Sequence, residues 1–187
     1  MVDHLQALFK DQNVAVACIY FNYKERIDQT ACNVIASLSK QLIQAQSEAS
    51  ANVKSLYAKH IRQNTRPELG NLVQAFQSEI RSCAKVFIVV DALDECPEDN
   101  GVRQHILTEL RSMAVTVKLM FTSRYLTAIE RELQGAIRLD IQADEDDIRL
   151  YVKGRISREH RLMRHIQADS GLRDDIENTI VDKARGM

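Results

Sequence analysis

Five consecutive apolar residues, Val86-Phe87-Ile88-Val89-Val90, stop abruptly on Asp91-Ala92-Leu93-Asp94-Glu95. The backbone N–H and C=O groups of such a run need partner strands, and its side chains need cover on both faces. The run is therefore expected to be a central strand of a parallel-type sheet, ending in a crowd of carboxylates. Carboxylates that close repel one another unless a cation or a network of donors offsets them. Open α/β sheets bind ligands at this C-terminal edge. There Asp91 is placed to hold a Mg²⁺ ion, chiefly through water, because Mg²⁺ sheds its waters reluctantly. Asp94 and Glu95 are placed to orient or deprotonate a water attacking a γ-phosphate. A solvated acidic loop behind a buried strand is the plainer alternative, but it leaves the crowding unexplained.

The flanking sequence repeats strand and helix patterns in alternation. VAVACIYFNY (14–23) is nearly continuous and rich in β-branched and aromatic residues, a second buried strand. Apolar residues at helical spacing mark helices over 2–9 (Val2, Leu5, Leu8, Phe9), 29–46, 51–62 and 67–83, with Pro67 near the first turn of the last. Val102, Ile106, Leu110 and Met113 mark another helix, and a short one surrounds Ile129 and Leu133. Strands are expected at 85–91, 117–122 and 136–141, the last from AIRLDI. From Asp144 the chain reads as helical, with Asp144 as cap and Glu145, Asp146 and Asp147 at the positive end of the helix dipole. The fold class is α/β, a parallel sheet flanked by helices over 1–142, followed over 143–187 by the start of a helical lid domain.

Leu119-Met120-Phe121-Thr122-Ser123-Arg124 is the second stretch that bears chemistry. It ends in polar residues about 30 positions after the first, the length of one strand–helix–strand crossover. In a shared sheet, Thr122, Ser123 and Arg124 reach the same edge as Asp91. A guanidinium there matches phosphate oxygens bidentately.

Composition narrows the partners. With 25 basic and 26 acidic residues the formal charge is −1, so no global field favours nucleic acid or an anionic membrane. Arg155, Arg158, Arg161 and Arg164 read as a solvated helix face. The cysteines at 18, 32, 83 and 96 show no C-x-x-C spacing or zinc set and fit a reducing compartment. No signal-peptide pattern opens the chain and no apolar run approaches membrane length. A cytoplasmic location is expected, with no role for nucleic acid or membrane.

VFIVVDALDEC, LMFTSR, LDIQADEDDIRLYVKGRI and VDKARGM together resemble the NACHT class of STAND P-loop ATPases. The sequence is most similar to the version in fungal NLR-like proteins, the nephrocystin 3-like N-terminal domain. VACIYFNYKERIDQTACNVIASLSKQL also resembles that family's segment just downstream of the phosphate loop. The resemblance implies Asp91 as the Walker B aspartate, Asp94 and Glu95 as the catalytic acidic pair, and Arg124 as the sensor arginine. It implies Mg²⁺ with ATP or GTP as cofactors, a switch between closed monomer and open oligomer, and protein partners and self-association through the intact NLR-like protein. It also implies ankyrin, WD40 or tetratricopeptide repeats beyond the lid.

One departure is large. A phosphate loop requires G-x-x-x-x-G-K-[ST], whose backbone N–H groups and lysine cradle the phosphates. The glycines at 70, 101, 135, 154, 171 and 186 are never five residues apart, and none precedes a lysine. The helix opening at Met1-Val2 carries no capping residue, so the sequence reads as one entered midway, with the phosphate loop and its central strand upstream. On its own, such a chain is expected to bind nucleotide poorly. The competing readings are a non-enzymatic interaction scaffold that reuses the fold, and a small α/β hydrolase or phosphatase. The latter is disfavoured because no G-x-S-x-G elbow occurs.

Overall fold

A computed structural model of the chain describes residues 1–10, 12–46, 48–113, 117–169 and 171–184. The chain divides into two compact units, Met1–Gly135 and Ala136–Met187.

The first unit is an α/β layer. Its three-stranded sheet runs in the order β1 (Val14–Tyr20), β2 (Lys85–Asp91), β3 (Val117–Phe121), parallel throughout. The register pairs Ala17 with Ile88 and Tyr20 with Asp91 on one side of β2, and Ile88 with Leu119 and Val90 with Phe121 on the other. Helix α1 (Val2–Leu8) precedes β1; α2 (Ala31–Ala45), α3 (Ala51–Gln63) and α4 (Leu69–Ser82) connect β1 to β2, α5 (Val102–Ser112) connects β2 to β3, and α6 (Thr127–Glu132) follows β3. The helical stripes read from the sequence supply the core. Ile35, Leu38 and Leu42 of α2, Phe76 and Ile80 of α4, and Ile106 and Leu110 of α5 join Ala15, Ala17, Val86, Ile88 and Val90 in one buried cluster. Alternate residues of a strand face opposite sides, so this cluster lies on one face of the sheet. On the other face Phe9 stacks on Phe87 with ring centroids 5.2 Å apart.

Local chemistry sets the element ends. Thr30 and Ser50 accept hydrogen bonds from the N–H groups of Asn33 and Val53 and so cap α2 and α3. Asn64 takes the left-handed conformation that closes α3. The outer edge of β1 is sealed by a side chain: the amide of Gln41 accepts from Cys18 N–H and donates to Cys18 C=O, both at 2.8 Å. That amide takes the place of a neighbouring strand, one way proteins protect an edge.

In the second unit Asp144 accepts from Asp147 N–H at 2.7 Å and caps α7 (Glu145–Arg158), as the acidic run predicts. Helices α8 (His160–Ala168) and α9 (Leu172–Ala184) follow. The last three residues of VDKARGM lie outside the described residues. No helix among the described residues is long and apolar enough to cross a membrane.

Three expectations need correction. No strand forms at 136–141, and Ile137, Leu139 and Ile141 are 102%, 80% and 83% exposed. Alternation alone marks a surface with two sides; a strand exists only where a neighbour takes up its backbone groups, and no ladder reaches these residues. Pro67 lies outside α4, because Glu68, in extended backbone, is the N-cap and the helix begins at Leu69. Leu8 is exposed, because α1 turns Phe9 towards Phe87 instead.

Phe76 is completely buried, so Phe76→Ala should destabilise the chain by about 3–5 kcal/mol. Ile137→Ser should change stability by less than about 0.5 kcal/mol. Equilibrium urea denaturation of both variants checks the pair, and equal losses would refute this placement of the core.

Candidate functional site

The site begins with one strained residue. After β2, Ala92 adopts φ 53°, ψ 49°, the left-handed region, and a 3-10 turn over Leu93–Glu95 follows. For a residue with a Cβ this conformation costs about 1 kcal/mol and persists only where the surroundings hold it. Here they do. Ala92 N–H donates to Thr122 Oγ1 at 3.0 Å and Leu93 N–H to Thr122 C=O at 2.9 Å. Thr122 O–H donates to Asp91 Oδ1 at 2.5 Å. The completely buried Leu93 side chain anchors the turn from below. Thr122, just beyond β3, thus fixes the orientation of the Asp91 carboxylate and the bend after it.

Asp94 and Arg124 form the second link between the two strand ends. The Asp94 carboxylate, only 4% exposed, accepts from Arg124 N–H at 3.0 Å and Arg124 Nε–H at 2.6 Å. Burial pushes the Asp94 carboxyl up, but the hydrogen bonds and charge of Arg124 outweigh it and hold the group below its usual value. The same contact, led by the side-chain hydrogen bond, raises Arg124. The Arg124 side chain is 80% exposed. Its Nη donors have no partner among the described residues and remain available to an anion.

Glu95 ties in β1. Its Oε2 accepts from Tyr23 N–H at 3.0 Å, at the start of the 3-10 turn Tyr23–Glu25. Asp91, Asp94, Glu95, Thr122 and Arg124 therefore converge at the C-terminal edge of the sheet. Ser123 is a partial exception, since its hydroxyl is exposed and donates to the C=O of Arg124. Thr122 is engaged with Asp91, which makes it a support for that carboxylate in this state.

The donor set suits a hard cation only in part. One oxygen of Asp91 is bonded to Thr122 and the other has no hydrogen-bond partner among the described residues. Among those residues no group of three or more His, Cys, Asp or Glu is arranged to hold a metal. Such a site fits Mg²⁺ only if water and ligand oxygens complete the shell, which Mg²⁺ favours.

Three contributors escaped the sequence reading: Ala92, the Tyr23 N–H and Arg103. For Arg103 a signal existed. Arg103 precedes Leu107 and Leu110 at i+4 and i+7, and all three are buried on one face of α5, so the stripe carries a charge that needs partners. It finds them in Glu98 and Glu132. Nearby, burial pushes the Cys96 thiol up to about 12, which leaves it inert as a nucleophile.

The family described as Nephrocystin 3, N-terminal matches residues 1–124, a span that ends on Arg124 and includes every residue of this site. No curated protein and no solved structure matches the chain significantly.

Two variants check this geometry. Ala92→Gly removes the Cβ that makes the left-handed turn costly and should stabilise the chain by up to about 1 kcal/mol; a clear loss of stability would mean the turn is not strained. Asp94, lowered in the folded state, contributes stability that is full above the ordinary carboxylate value of about 4 and is lost as pH falls through its folded value. The stability gap between the parent chain and Asp94→Asn should therefore be wide at neutral pH and close in acid. A gap independent of pH would contradict the Asp94–Arg124 pairing.

Proposed function

The chain belongs to the nephrocystin 3 N-terminal family, and from that premise we propose that it is the metal- and γ-phosphate-reading half of a nucleotide-dependent switch. The kind of switch is that of the NACHT class of STAND P-loop NTPases, as in fungal NLR-like signalling proteins. The observation that carries the reading is the pairing of two adjacent parallel strand ends, Asp91 with Thr122 and Asp94 with Arg124. Acidic and guanidinium groups meet there at the edge where α/β sheets take ligands.

In this reading Asp91 would hold Mg²⁺ with ATP or GTP, and the metal would neutralise the charge that gathers on the phosphate oxygens. Thr122 fixes the orientation of the Asp91 carboxylate. Glu95 has one oxygen engaged by Tyr23 N–H and the other without a hydrogen-bond partner among the described residues, which suits it to orient water or take its proton. Asp94, held ionised by Arg124, fixes the guanidinium beside the acidic turn at the C-terminal edge of the sheet. The free Nη donors of Arg124 supply the hydrogen bonds that distinguish a γ-phosphate from none. The 187 residues contain no G-x-x-x-x-G-K-[ST] stretch, so the grip on the phosphates comes from residues outside them. The strand that carries such a loop has a natural berth at β3, the end strand of the sheet away from β1. Gln41 seals the β1 edge; no side chain does the same for β3 among the described residues.

A scaffold that reuses the fold without chemistry is the second reading, favoured by the missing phosphate loop. Calorimetric titration separates them. The 187-residue chain should show no micromolar affinity for Mg²⁺–ATP. The same chain preceded by a family phosphate-loop segment should bind it, and Asp91→Ala should lower that affinity by about tenfold or more. In the longer chain Glu95→Gln should leave binding intact and remove hydrolysis. A longer chain that binds no nucleotide, or binds equally well with Asp91→Ala, would favour the scaffold.

A further inference from the structure

Arg103 lies in α5, and it touches none of the groups assigned to chemistry. It is 4% exposed, and its guanidinium meets carboxylate oxygens of two other segments. Nη1 donates to Glu98 Oε1 at 2.7 Å. Nε donates to Glu132 Oε2 at 2.8 Å and Nη2 to Glu132 Oε1 at 3.4 Å, a two-pronged contact. Its backbone N–H donates to the C=O of Pro97.

The two partners are not arbitrary. Glu98 follows the acidic turn and lies three residues after Glu95. Glu132 ends α6, the first helix after Arg124. Arg111, two turns further along α5, donates to the C=O groups of Glu132 and Gln134 and pins the same segment again. One helix thus grips the segments that follow both site-bearing strand ends, Glu98 after β2 and Glu132 to Gln134 after β3. We propose that Arg103 is a positioning residue, and that its ion-paired bridge between Glu98 and Glu132 sets the distance at which Asp94 meets Arg124.

The charge balance supports a positioning role over a merely stabilising one. A buried guanidinium with two carboxylates contributes little net stability against an apolar trio of similar volume, because its desolvation offsets the attraction. What it does supply is geometry. A planar fork on two oxygens of Glu132 fixes both distance and angle. Glu98 is exposed and Glu132 half-buried, so the Glu132 arm is the more rigid one. Burial pushes Arg103 down, but the hydrogen bonds from Glu132 and Glu98 outweigh it and keep the group charged.

The inference rests on the site described above, yet its test needs no nucleotide, so the two fail separately. Solvent exchange of the Arg124 Nε–H and backbone N–H, read by ¹⁵N NMR on the 187-residue chain, reports how firmly Asp94 holds them. Arg103→Met should speed both by about tenfold or more, while the Val89 amide in the central strand stays within about threefold of the parent. Arg103→Lys, which keeps the charge and loses the fork, should fall between. Glu132→Gln keeps the shape and removes one charge; it should loosen Arg124 in the same direction and decides the matter if Arg103→Met does not fold. Unchanged Arg124 exchange in these folded variants would overturn the proposal. So would Arg124 and Val89 accelerating together, since that is the mark of general destabilisation.

Discussion

The bond from Thr122 O–H to Asp91 is the smallest feature on which the site depends. It closes a ring of hydrogen bonds between the ends of two parallel strands, in which one threonine serves Asp91, Ala92 and Leu93. Without that ring, Ala92 has no reason to remain left-handed, and Asp94 and Glu95 do not turn back over the sheet. The ring in turn depends on register. Val90 pairs with Phe121, so the next residue on each strand, Asp91 and Thr122, must meet. The register is pinned in its turn by alternation, because sliding β3 by one residue would carry Leu119 and Phe121 off the core face.

A second tier of contacts converts this edge into a charged platform. Asp94 is buried and held by Arg124; Glu95 is held by a backbone N–H of the β1 connection. Each carboxylate therefore has a donor of its own, which answers the repulsion expected of acidic groups packed so closely. Among the described residues, one oxygen of Asp91, one of Glu95 and the Nη donors of Arg124 have no hydrogen-bond partner. Those are oxygen acceptors for a hard cation and donors for an anion, side by side. The proposed nucleotide reading asks for that combination.

Much of this was legible in the sequence, for reasons that can be named. The strand Lys85–Asp91 could be read because five apolar residues in a row admit few other structures, and α2 and α4 because their stripes are long. The convergence of Asp94 and Arg124 could be read from one crossover length. What could not be read was cooperative. The alternation at Ile137, Leu139 and Ile141 is a good strand pattern, but a pattern cannot supply the neighbour a strand needs. The left-handed Ala92 is invisible because the sequence offers no glycine or asparagine there; the surroundings impose it. Arg103 is hidden because Val102, Ile106, Leu110 and Met113 already make an apolar stripe without it, while the buried face of α5 also runs through Arg103 and Leu107.

The proposed switch requires the edge formed by Asp91 and Thr122 to take a divalent cation. Mn²⁺ in place of Mg²⁺ tests it directly, because paramagnetic broadening of ¹H–¹⁵N signals detects even weak binding in the chain alone. The account predicts that the first signals to broaden are those of Asp91, Ala92, Leu93 and Thr122, and that Asp91→Asn abolishes the effect. Broadening centred instead on the acidic run Glu145–Asp147, with the β2 and β3 ends unaffected, would contradict it.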